Sequence, residues 1–243
     1  MRTRVVILAA GKGTRMNSEL PKALALLKGR PLIQYLLDAV HASHVDEKPI
    51  IIVGQGADLV RATLGEGYEY VFQNVQLGTG HALKMTRPVL QGHADAVIVL
   101  YVDHPFVHAT TIKKLRFLYE RENRVMTMMT TMVEDFDDWR KPFYEFGRVL
   151  RNAGGEVVRI VERKDATPEQ LEIREVNPAL FCFRASWLWS SLEKLKNVNA
   201  QKEYYLTDLV RIAIDEGERI ASMDLDPLES IGVNTQEHLE RAT

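Results

Sequence analysis

Strand-like and helix-like segments alternate along the first half of the chain, and this alternation most constrains the fold. Short, nearly continuous apolar runs are typical of strands buried on both faces of a sheet. These runs cover residues 5–8, 49–54, 68–72 and 96–101. Apolar residues at helical spacing lie between them, at residues 32–40, 57–64 and 80–85. The pattern predicts an α/β fold in which a Rossmann-like, mostly parallel sheet is flanked by helices and binds ligands at the carboxyl ends of its strands.

The rhythm changes after residue 122, where strand-like segments follow one another with few helices between them. They cover residues 125–133, 147–150, 157–162 and 175–183. Helices are predicted at residues 185–196, 205–216 and 235–241, with a closing strand at 220–223. We expect a smaller antiparallel lobe here. Because no repeat or low-complexity linker interrupts the chain, residues 1–243 are predicted to form one domain, with halves 1–122 and 123–243.

Composition limits the classes of partner and compartment. The 243 residues are 46% hydrophobic and 26% charged, with a formal net charge of -2. This balance gives no field that favours nucleic acid or a membrane surface. Cys182 is the one cysteine, so the chain has no disulfide framework. Neither a secretory leader nor an apolar span of about 18 residues is recognisable, so we predict a cytoplasmic protein with no membrane or nucleic-acid partner.

A glycine-rich turn follows the first strand. Gly11 and Gly13 permit a positive φ and a close approach of the backbone to phosphate oxygens. Lys12, Arg15 and Lys22 supply positive charge nearby. The spacing matches neither the dinucleotide fingerprint nor the Walker motif. From these residues alone, a phosphate-binding loop and an ordinary strand-to-helix turn with solvated lysines are equally good interpretations.

An acidic residue follows the fourth strand. Asp103 is predicted at the carboxyl edge of the sheet, beside the glycine loop. A carboxylate there suits Mg²⁺, which bridges one or two protein carboxylates and substrate phosphates. The alternative is an exposed acidic cap for the helix that follows Pro105, because acidic side chains are also favoured near helix starts.

Amides and glycines are dense after the third strand, in residues 73–82. Amide side chains offer donors and acceptors in fixed geometry, and glycines allow a planar base to approach the backbone. The alternative is a simple helix start, with Thr79 as its N-cap and Gly80 relieving crowding. The turn chemistry favours binding over a plain turn.

Several of these segments together resemble the sugar-1-phosphate nucleotidyltransferases. Residues 8–16 with 20–24 look like the signature of that family, and residues 76–82 narrow the resemblance to the N-terminal pyrophosphorylase domain of bacterial N-acetylglucosamine-1-phosphate uridylyltransferases. Further matches follow in the family's order at residues 147–148, 160–166, 175–177, 203–208 and 232–234. The resemblance therefore covers nearly the whole chain.

The resemblance implies a role for each matching residue. Catalytic roles fall to Arg15 and Lys22, beside the triphosphate. Nucleotide binding falls to Ala10, Gly11, Gly13, Gln73, Gly78, Thr79 and Tyr101. Sugar binding falls to Gly147, Glu162 and Asn177, and Mg²⁺ ligation to Asp103 and Asn234. The implied activity is the Mg²⁺-dependent formation of a UDP-sugar and pyrophosphate from UTP and a sugar 1-phosphate, with the cell-wall precursor UDP-N-acetylglucosamine as the leading product.

Two departures from the family pattern leave alternatives open. The family's Tyr-Gly-Asp is Tyr101-Val102-Asp103 here, so the valine side chain either faces the core or narrows the site. The family's Asn-Thr-Gly is Asn177-Pro178-Ala179, which removes one N–H and one hydroxyl near the expected sugar. A different sugar or nucleotide, or a non-catalytic sugar-nucleotide-binding protein, are therefore the alternative hypotheses. We expect no acetyl transfer, because the hexapeptide repeats of the bifunctional proteins are not found, and the oligomeric state stays open.

Overall fold

The computed structural model describes residues 1–11 and 20–233 of the chain. Its strands are β1 (Thr3–Leu8), β2 (Leu26–Leu27), β3 (Arg30–Pro31), β4 (Ile50–Val53), β5 (Glu69–Phe72), β6 (Ala96–Tyr101), β7 (Met126–Met132), β8 (Arg148–Arg151), β9 (Val157–Val161), β10 (Glu175–Val176), β11 (Phe181–Arg184) and β12 (Ala221–Asp224). Its α-helices are α1 (Leu32–Ser43), α2 (Ala57–Leu64), α3 (Thr79–Lys84), α4 (Arg87–Leu90), α5 (Ala109–Glu122), α6 (Pro168–Leu171), α7 (Ala185–Leu192) and α8 (Asp208–Asp215). Short 3-10 helices cover Lys22–Leu24, Asp138–Glu145 and Arg163–Asp165.

The parallel half of the sheet has the order β5-β4-β1-β6, and each of its pairings is parallel. Side chains alternate between its two faces. Val5 and Ile7 of β1 lie in the core cluster that includes residues of α1 and α5, whereas Val6 and Leu8 lie in the cluster that includes residues of α3 and α7. Burial of both faces explains why these strands are almost continuously apolar in sequence. The predicted α/β fold class is confirmed.

The two halves share one sheet. Strand β11 lies between β6 and β7 and runs antiparallel to both. The expectation of one long strand over residues 175–183 is wrong, because β10 and β11 are separate and pair with different partners. Pro178 has no N–H for a ladder, and Ala179 adopts a φ of 58°, outside the extended region. The chain therefore leaves the sheet between these two strands.

The second half is antiparallel through β7, β10, β8 and β9, while β12 pairs with β7 in parallel. Helices α7 and α8 are shorter than the segments predicted from the periodicity. The predicted helix at residues 235–241 lies outside the described residues. Across residues 1–11 and 20–233, no helix is both long and apolar enough to traverse a bilayer.

Candidate active site

A cleft of about 580 Å³ opens at the carboxyl ends of β1 and β6. The turn after β5 forms a second wall, and Glu203 lies at its rim. This is the edge of a parallel sheet where ligands are expected to bind. The cleft thus gathers three stretches that the sequence singled out: the start of the glycine loop, the amide-rich turn and Asp103.

The described part of the glycine loop is its first residue. Gly11 lines the cleft, and a Cβ built on it would have no heavy atom within 4 Å. Gly11 does not use the positive φ that a glycine permits, since its φ does not lie in the left-handed region. Open space, rather than backbone strain, is what this glycine provides. Lys12, Gly13 and Arg15 lie outside the described residues.

The amide-rich turn holds its side chains in fixed directions. Gln73 is only 3% exposed, and its Nε2 lies 3.2 Å from the Gly78 carbonyl oxygen and 3.0 Å from Nδ1 of His81. Gln76, which the sequence did not single out, donates from Nε2 to the Ala10 carbonyl oxygen at 2.7 Å. This last bond ties the turn to the end of β1. The Gln73 amide is therefore oriented before any ligand binds.

The helix-cap interpretation of Thr79 is wrong. Gly78 occupies the N-cap position of α3, and the Thr79 hydroxyl accepts a hydrogen bond from the Leu206 N–H at 3.0 Å. Tyr101 packs beside this turn, and burial raises the pKa of its phenol despite a hydrogen bond with the Thr79 side chain. Tyr101 therefore stays protonated at physiological pH and can donate a hydrogen bond.

Asp103 forms an ion pair with Lys22 inside the cleft. Nζ of Lys22 lies 2.7 Å from Oδ2 of Asp103, and the two side chains are 11% and 19% exposed. Burial alone would raise the pKa of Asp103, but the charge of Lys22, a smaller contribution from His104 and the hydrogen bonds to the carboxylate together outweigh burial and lower that pKa to about 2. The cap interpretation of Asp103 is wrong, because α5 begins at Ala109 and its N-cap position is His108.

Val102 faces the core. Its side chain is 4% exposed and belongs to the same cluster as Ile98 and Leu100, on one face of the sheet. Tyr101 packs against the cluster on the opposite face. Val102 also borders the cleft, but with 4% exposure most of its surface packs in the core, so the departure from the family's glycine is accommodated by packing.

The structure brings the three predicted sugar-binding residues together. The Asn177 N–H donates to the Gly147 carbonyl oxygen at 2.9 Å. A Cβ on Gly147 would lie 2.9 Å from Cγ2 of Ile160 and 3.6 Å from Cδ of Glu162, which explains why a glycine stands there. Asn177 is 6% exposed, and its Oδ1 accepts a hydrogen bond from the Ala179 N–H at 3.0 Å.

Glu162 has surroundings unlike those of Asp103. Burial raises the pKa of its carboxyl group, and the charges of Asp208, Asp165 and Glu203 raise it further. A hydrogen bond from the Thr207 hydroxyl, at 2.8 Å, acts in the opposite direction. Glu203 also lines the cleft, so the predicted sugar-binding residue Glu162 lies close to the cleft.

The acidic side chains of the cleft fit Mg²⁺ through one carboxylate, that of Asp103. The described residues contain no group of three or more histidine, cysteine or acidic side chains that could hold a metal ion. A single ionised carboxylate in a cleft nevertheless fits Mg²⁺, which binds through one or two carboxylates and takes its other ligands from water and phosphates. Asp103 is such a carboxylate. The Val233 N–H donates to the Asp103 carbonyl oxygen at 2.7 Å, and the next residue, Asn234, lies outside the described residues.

Comparison with known proteins gives a consistent result. The chain matches the model of the MobA-like NTP transferase domain over residues 5–210. It is 41% identical, over 98% of its length, to the bifunctional protein GlmU of Brevibacillus brevis, and 39% identical, over 96% of its length, to that of Pelotomaculum thermopropionicum. It spans 50% of the length of each of these relatives. The match runs from β1 into α8 and includes both walls of the cleft, so the chain belongs to the family of MobA-like NTP transferase domains.

Proposed function

We propose that this nucleotidyltransferase is a cytoplasmic, Mg²⁺-dependent sugar-1-phosphate uridylyltransferase that makes UDP-N-acetylglucosamine and pyrophosphate from UTP and N-acetylglucosamine 1-phosphate. The observation that carries the proposal is the ion pair of Lys22 and Asp103 in the cleft. There, the Lys22 ammonium group, which could bind a phosphate, lies next to the ionised Asp103 carboxylate, which could bind a metal ion. The GlmU relatives support a sugar nucleotide as the product.

The reaction joins two anions, and the cleft supplies charge to offset their repulsion. The sugar phosphate oxygen attacks the α-phosphorus of UTP in line, and pyrophosphate leaves. Because the nucleophile is already anionic, no general base is required. One opposite charge at about 4 Å is worth roughly 4 kcal/mol at an effective dielectric constant near 20. The Lys22 ammonium has three donors, so it can hold Asp103 and a phosphate oxygen together.

The remaining groups divide between triphosphate and metal. Ala10 and Gly11, at the end of β1, would cradle the phosphates together with Gly13, and Arg15 would contact the triphosphate. Asp103, with Asn234, would hold Mg²⁺, which when bound would neutralise charge on the phosphates. Positioning and electrostatics, rather than proton transfer, would then determine the rate.

The amide-rich turn is suited to uracil. Nε2 of Gln73 is directed to Gly78 and His81, so its carbonyl oxygen is the group that can meet a base. A carbonyl oxygen accepts the N3–H of uracil, whereas cytosine has no hydrogen on that nitrogen. Gly78 and Thr79 would contact the same base edge, and Tyr101 would lie beside the nucleotide. This geometry supports UTP over CTP.

The sugar side is suited to several hydroxyl or amide groups. Glu162 can accept hydrogen bonds, and the Asn177 amide nitrogen can donate one, because Oδ1 of Asn177 is directed to Ala179. Gly147 lets its own backbone lie close to Ile160 and Glu162. The sequence Asn177-Pro178-Ala179 is the observation that favours a second candidate, the same reaction on a different sugar 1-phosphate. The non-catalytic alternative loses the support of Val102, which lies in the core.

Pyrophosphate release tests the proposal. The purified chain with Mg²⁺ and UTP is offered a panel of sugar 1-phosphates, and then each nucleoside triphosphate with the best sugar. We expect N-acetylglucosamine 1-phosphate and UTP to give the highest kcat/KM, and chelation of Mg²⁺ to abolish turnover. A preferred sugar other than N-acetylglucosamine would select the second candidate. No pyrophosphate from UTP with any sugar 1-phosphate would overturn the proposed function.

A further inference from the structure

Residues 203–207, which we term the bridging segment, connect the amide-rich turn of the cleft with Glu162. Tyr204 and Leu206 are bound to the amide-rich turn by two backbone–backbone hydrogen bonds and one bond to a side chain. The Tyr204 N–H donates to the Leu77 carbonyl oxygen at 2.8 Å, and the Gly80 N–H donates to the Tyr204 carbonyl oxygen at 2.8 Å. The Leu206 N–H donates to the Thr79 hydroxyl at 3.0 Å. The bridging segment is therefore fixed to the part of the site that we assign to uracil.

Two glycines allow this close contact. A Cβ on Gly78 would lie 2.7 Å from the Tyr204 carbonyl oxygen and 2.8 Å from its nitrogen. Gly78 also has a φ of 106°, which side chains rarely adopt. A Cβ on Gly80 would lie 3.0 Å from the same carbonyl oxygen. These glycines make room for the protein's own backbone, so the bridging segment lies directly against the turn.

The last residue of the bridging segment reaches the sugar side. Thr207 is 4% exposed and occupies the N-cap position of α8. A threonine there usually accepts a hydrogen bond from the first turn of the helix, but its side chain makes no such bond. Its hydroxyl instead donates to Oε1 of Glu162 at 2.8 Å. The Thr207 side chain does not cap α8, so stabilisation of the helix does not explain the direction of this hydroxyl group.

Glu162 needs a partner that favours its ionised form. The titratable and charged groups that act on it or adjoin it are Tyr101 of β6, Arg163 and Asp165 of the 3-10 helix, Glu203 and Tyr205 of the bridging segment, and Asp208 of α8. Burial and the three acids raise the pKa of Glu162, and the Thr207 hydrogen bond lowers it. The hydroxyl therefore both orients the carboxylate and opposes its protonation.

We propose that Thr207 is a positioning residue for the sugar side of the reaction, because it holds the Glu162 carboxylate from a segment anchored on the uracil side. The role rests on the proposed function, in which Glu162 binds the sugar. Thr207 need not touch the substrate. A nucleotide that orders the amide-rich turn would, through the bridging segment, also order the acceptor for the sugar.

Kinetics of two variants separate this role from a structural one. Thr207→Val keeps the shape and removes the hydroxyl, whereas Thr207→Ser keeps the hydroxyl. In the valine variant, we expect the KM for the sugar 1-phosphate to rise about tenfold, on the scale of one hydrogen bond to a charged group, with the KM for UTP unchanged. The acid limb of kcat/KM for the sugar should move to higher pH. The serine variant should behave as the unmodified chain. Because the substrates ionise identically in assays of both variants, the difference between the valine and serine pH profiles reports only the protein.

Direct titration of Glu162 makes the inference testable without turnover. In protein labelled with carbon-13 at glutamate carboxyl groups, the Glu162 signal is identified by its loss in Glu162→Gln. Its titration midpoint should lie at higher pH in Thr207→Val than in Thr207→Ser. If the enzyme is active and the valine and serine variants have the same titration midpoint, the same KM for the sugar 1-phosphate and the same acid limb of kcat/KM, the inference is overturned. A shifted midpoint in a protein that releases no pyrophosphate would instead overturn the proposed function.

Discussion

Asp103 and Glu162, the carboxylates that we propose for the nucleotide and sugar sides of the site, are both partly buried and both follow the end of a strand, but their pKa values are shifted in opposite directions. Asp103 follows β6, and although burial would raise its pKa, the paired Lys22, with smaller contributions from His104 and backbone hydrogen bonding, lowers it to about 2. Glu162 follows β9, where burial and three acidic neighbours raise its pKa. The sheet fixes where each carboxylate lies, but the nearest charges decide whether it is ionised.

The two departures from the family pattern show a similar contrast. Val102 directs its side chain into a packed core, where it adds buried apolar surface and leaves the cleft open. Ala179 has a φ of 58°, a conformation in which an alanine is strained and a glycine is not. The substitution at Val102 is therefore accommodated by core packing, whereas the substitution at Ala179 leaves a strained backbone conformation.

Removal of the Asp103 charge should have the largest effect. We expect Asp103→Asn to lower kcat by about a hundredfold or more, or roughly 3 kcal/mol of transition-state stabilisation. Steady-state rates across a Mg²⁺ titration measure it. The matched control is Asp46→Asn, a buried carboxylate that accepts hydrogen bonds from Arg4 Nε at 3.0 Å and the Val5 N–H at 2.8 Å, near the start of β1. It should lose stability and keep kcat. Unchanged turnover and Mg²⁺ dependence in Asp103→Asn would remove that residue from the site.

Restoration of the family's glycine at Val102 should cost stability and gain nothing in rate. We expect Val102→Gly to lower the free energy of unfolding by about 2 to 3 kcal/mol, because it leaves a cavity and adds backbone freedom. Urea denaturation and a steady-state assay on the same sample measure both quantities. If turnover rose several-fold, the valine would obstruct the site after all, and the contrast with Ala179 would fail.

The sequence was sufficient to predict the parallel half of the fold. The bounds of α2 and β6 agree with the apolar runs, because strands buried on both faces and the helices that cover them leave a strong periodic signal. The segment 175–183 was mispredicted, because its apolar residues continue through a bend that one proline and one left-handed alanine create. Local composition signals such a bend weakly.

Several residues that the sequence singled out do line the cleft, but their contacts could not be predicted. The cleft does contain Gly11, Gln73 and Asp103 in one place. The ion pair of Asp103 with Lys22 and the hydrogen bond of Glu162 with Thr207 join residues 81 and 45 positions apart. No periodicity reports such pairs, and they determine the ionisation of both carboxylates. The packing role of Gly78 against the bridging segment was hidden for the same reason.

Stability measured against pH should separate the two carboxylates by sign. The folded-state pKa of Asp103 is about 2, below its ordinary value of 3.8, so its contribution is present above that value and lost as the pH falls towards 2. Asp103→Asn should therefore be less stable by about 2 kcal/mol at pH 7, and the difference should shrink in acid. Urea unfolding at several pH values measures it.

The same experiment on Glu162 should give the opposite sign. Its folded-state pKa lies above the ordinary value of 4.5, so the stability of the folded chain is fully present below that value and declines as the pH rises through the folded-state pKa. Glu162→Gln, which resembles the protonated form, should be more stable than the unmodified chain at pH 8 and equal to it at pH 4. Destabilisation by both substitutions at pH 8 would mean that Glu162 has a cationic partner, and the comparison would break.

The smallest effect is expected at the strained backbone of the sugar side. Ala179→Gly should raise the free energy of unfolding by about 0.5 to 1 kcal/mol, because relief of the left-handed strain exceeds the entropy that glycine adds to the unfolded chain. Ala166→Gly is the matched control, since Ala166 has an ordinary φ of -82°. The same substitution should there destabilise the chain by about 0.5 to 1 kcal/mol. Because both variants lose one methyl group, only the sign of the two changes in urea midpoint reports the strain. If the urea midpoints of both variants fell, Ala179 would be no more strained than Ala166. The difference from the family's Asn-Thr-Gly sequence would then act only through Pro178.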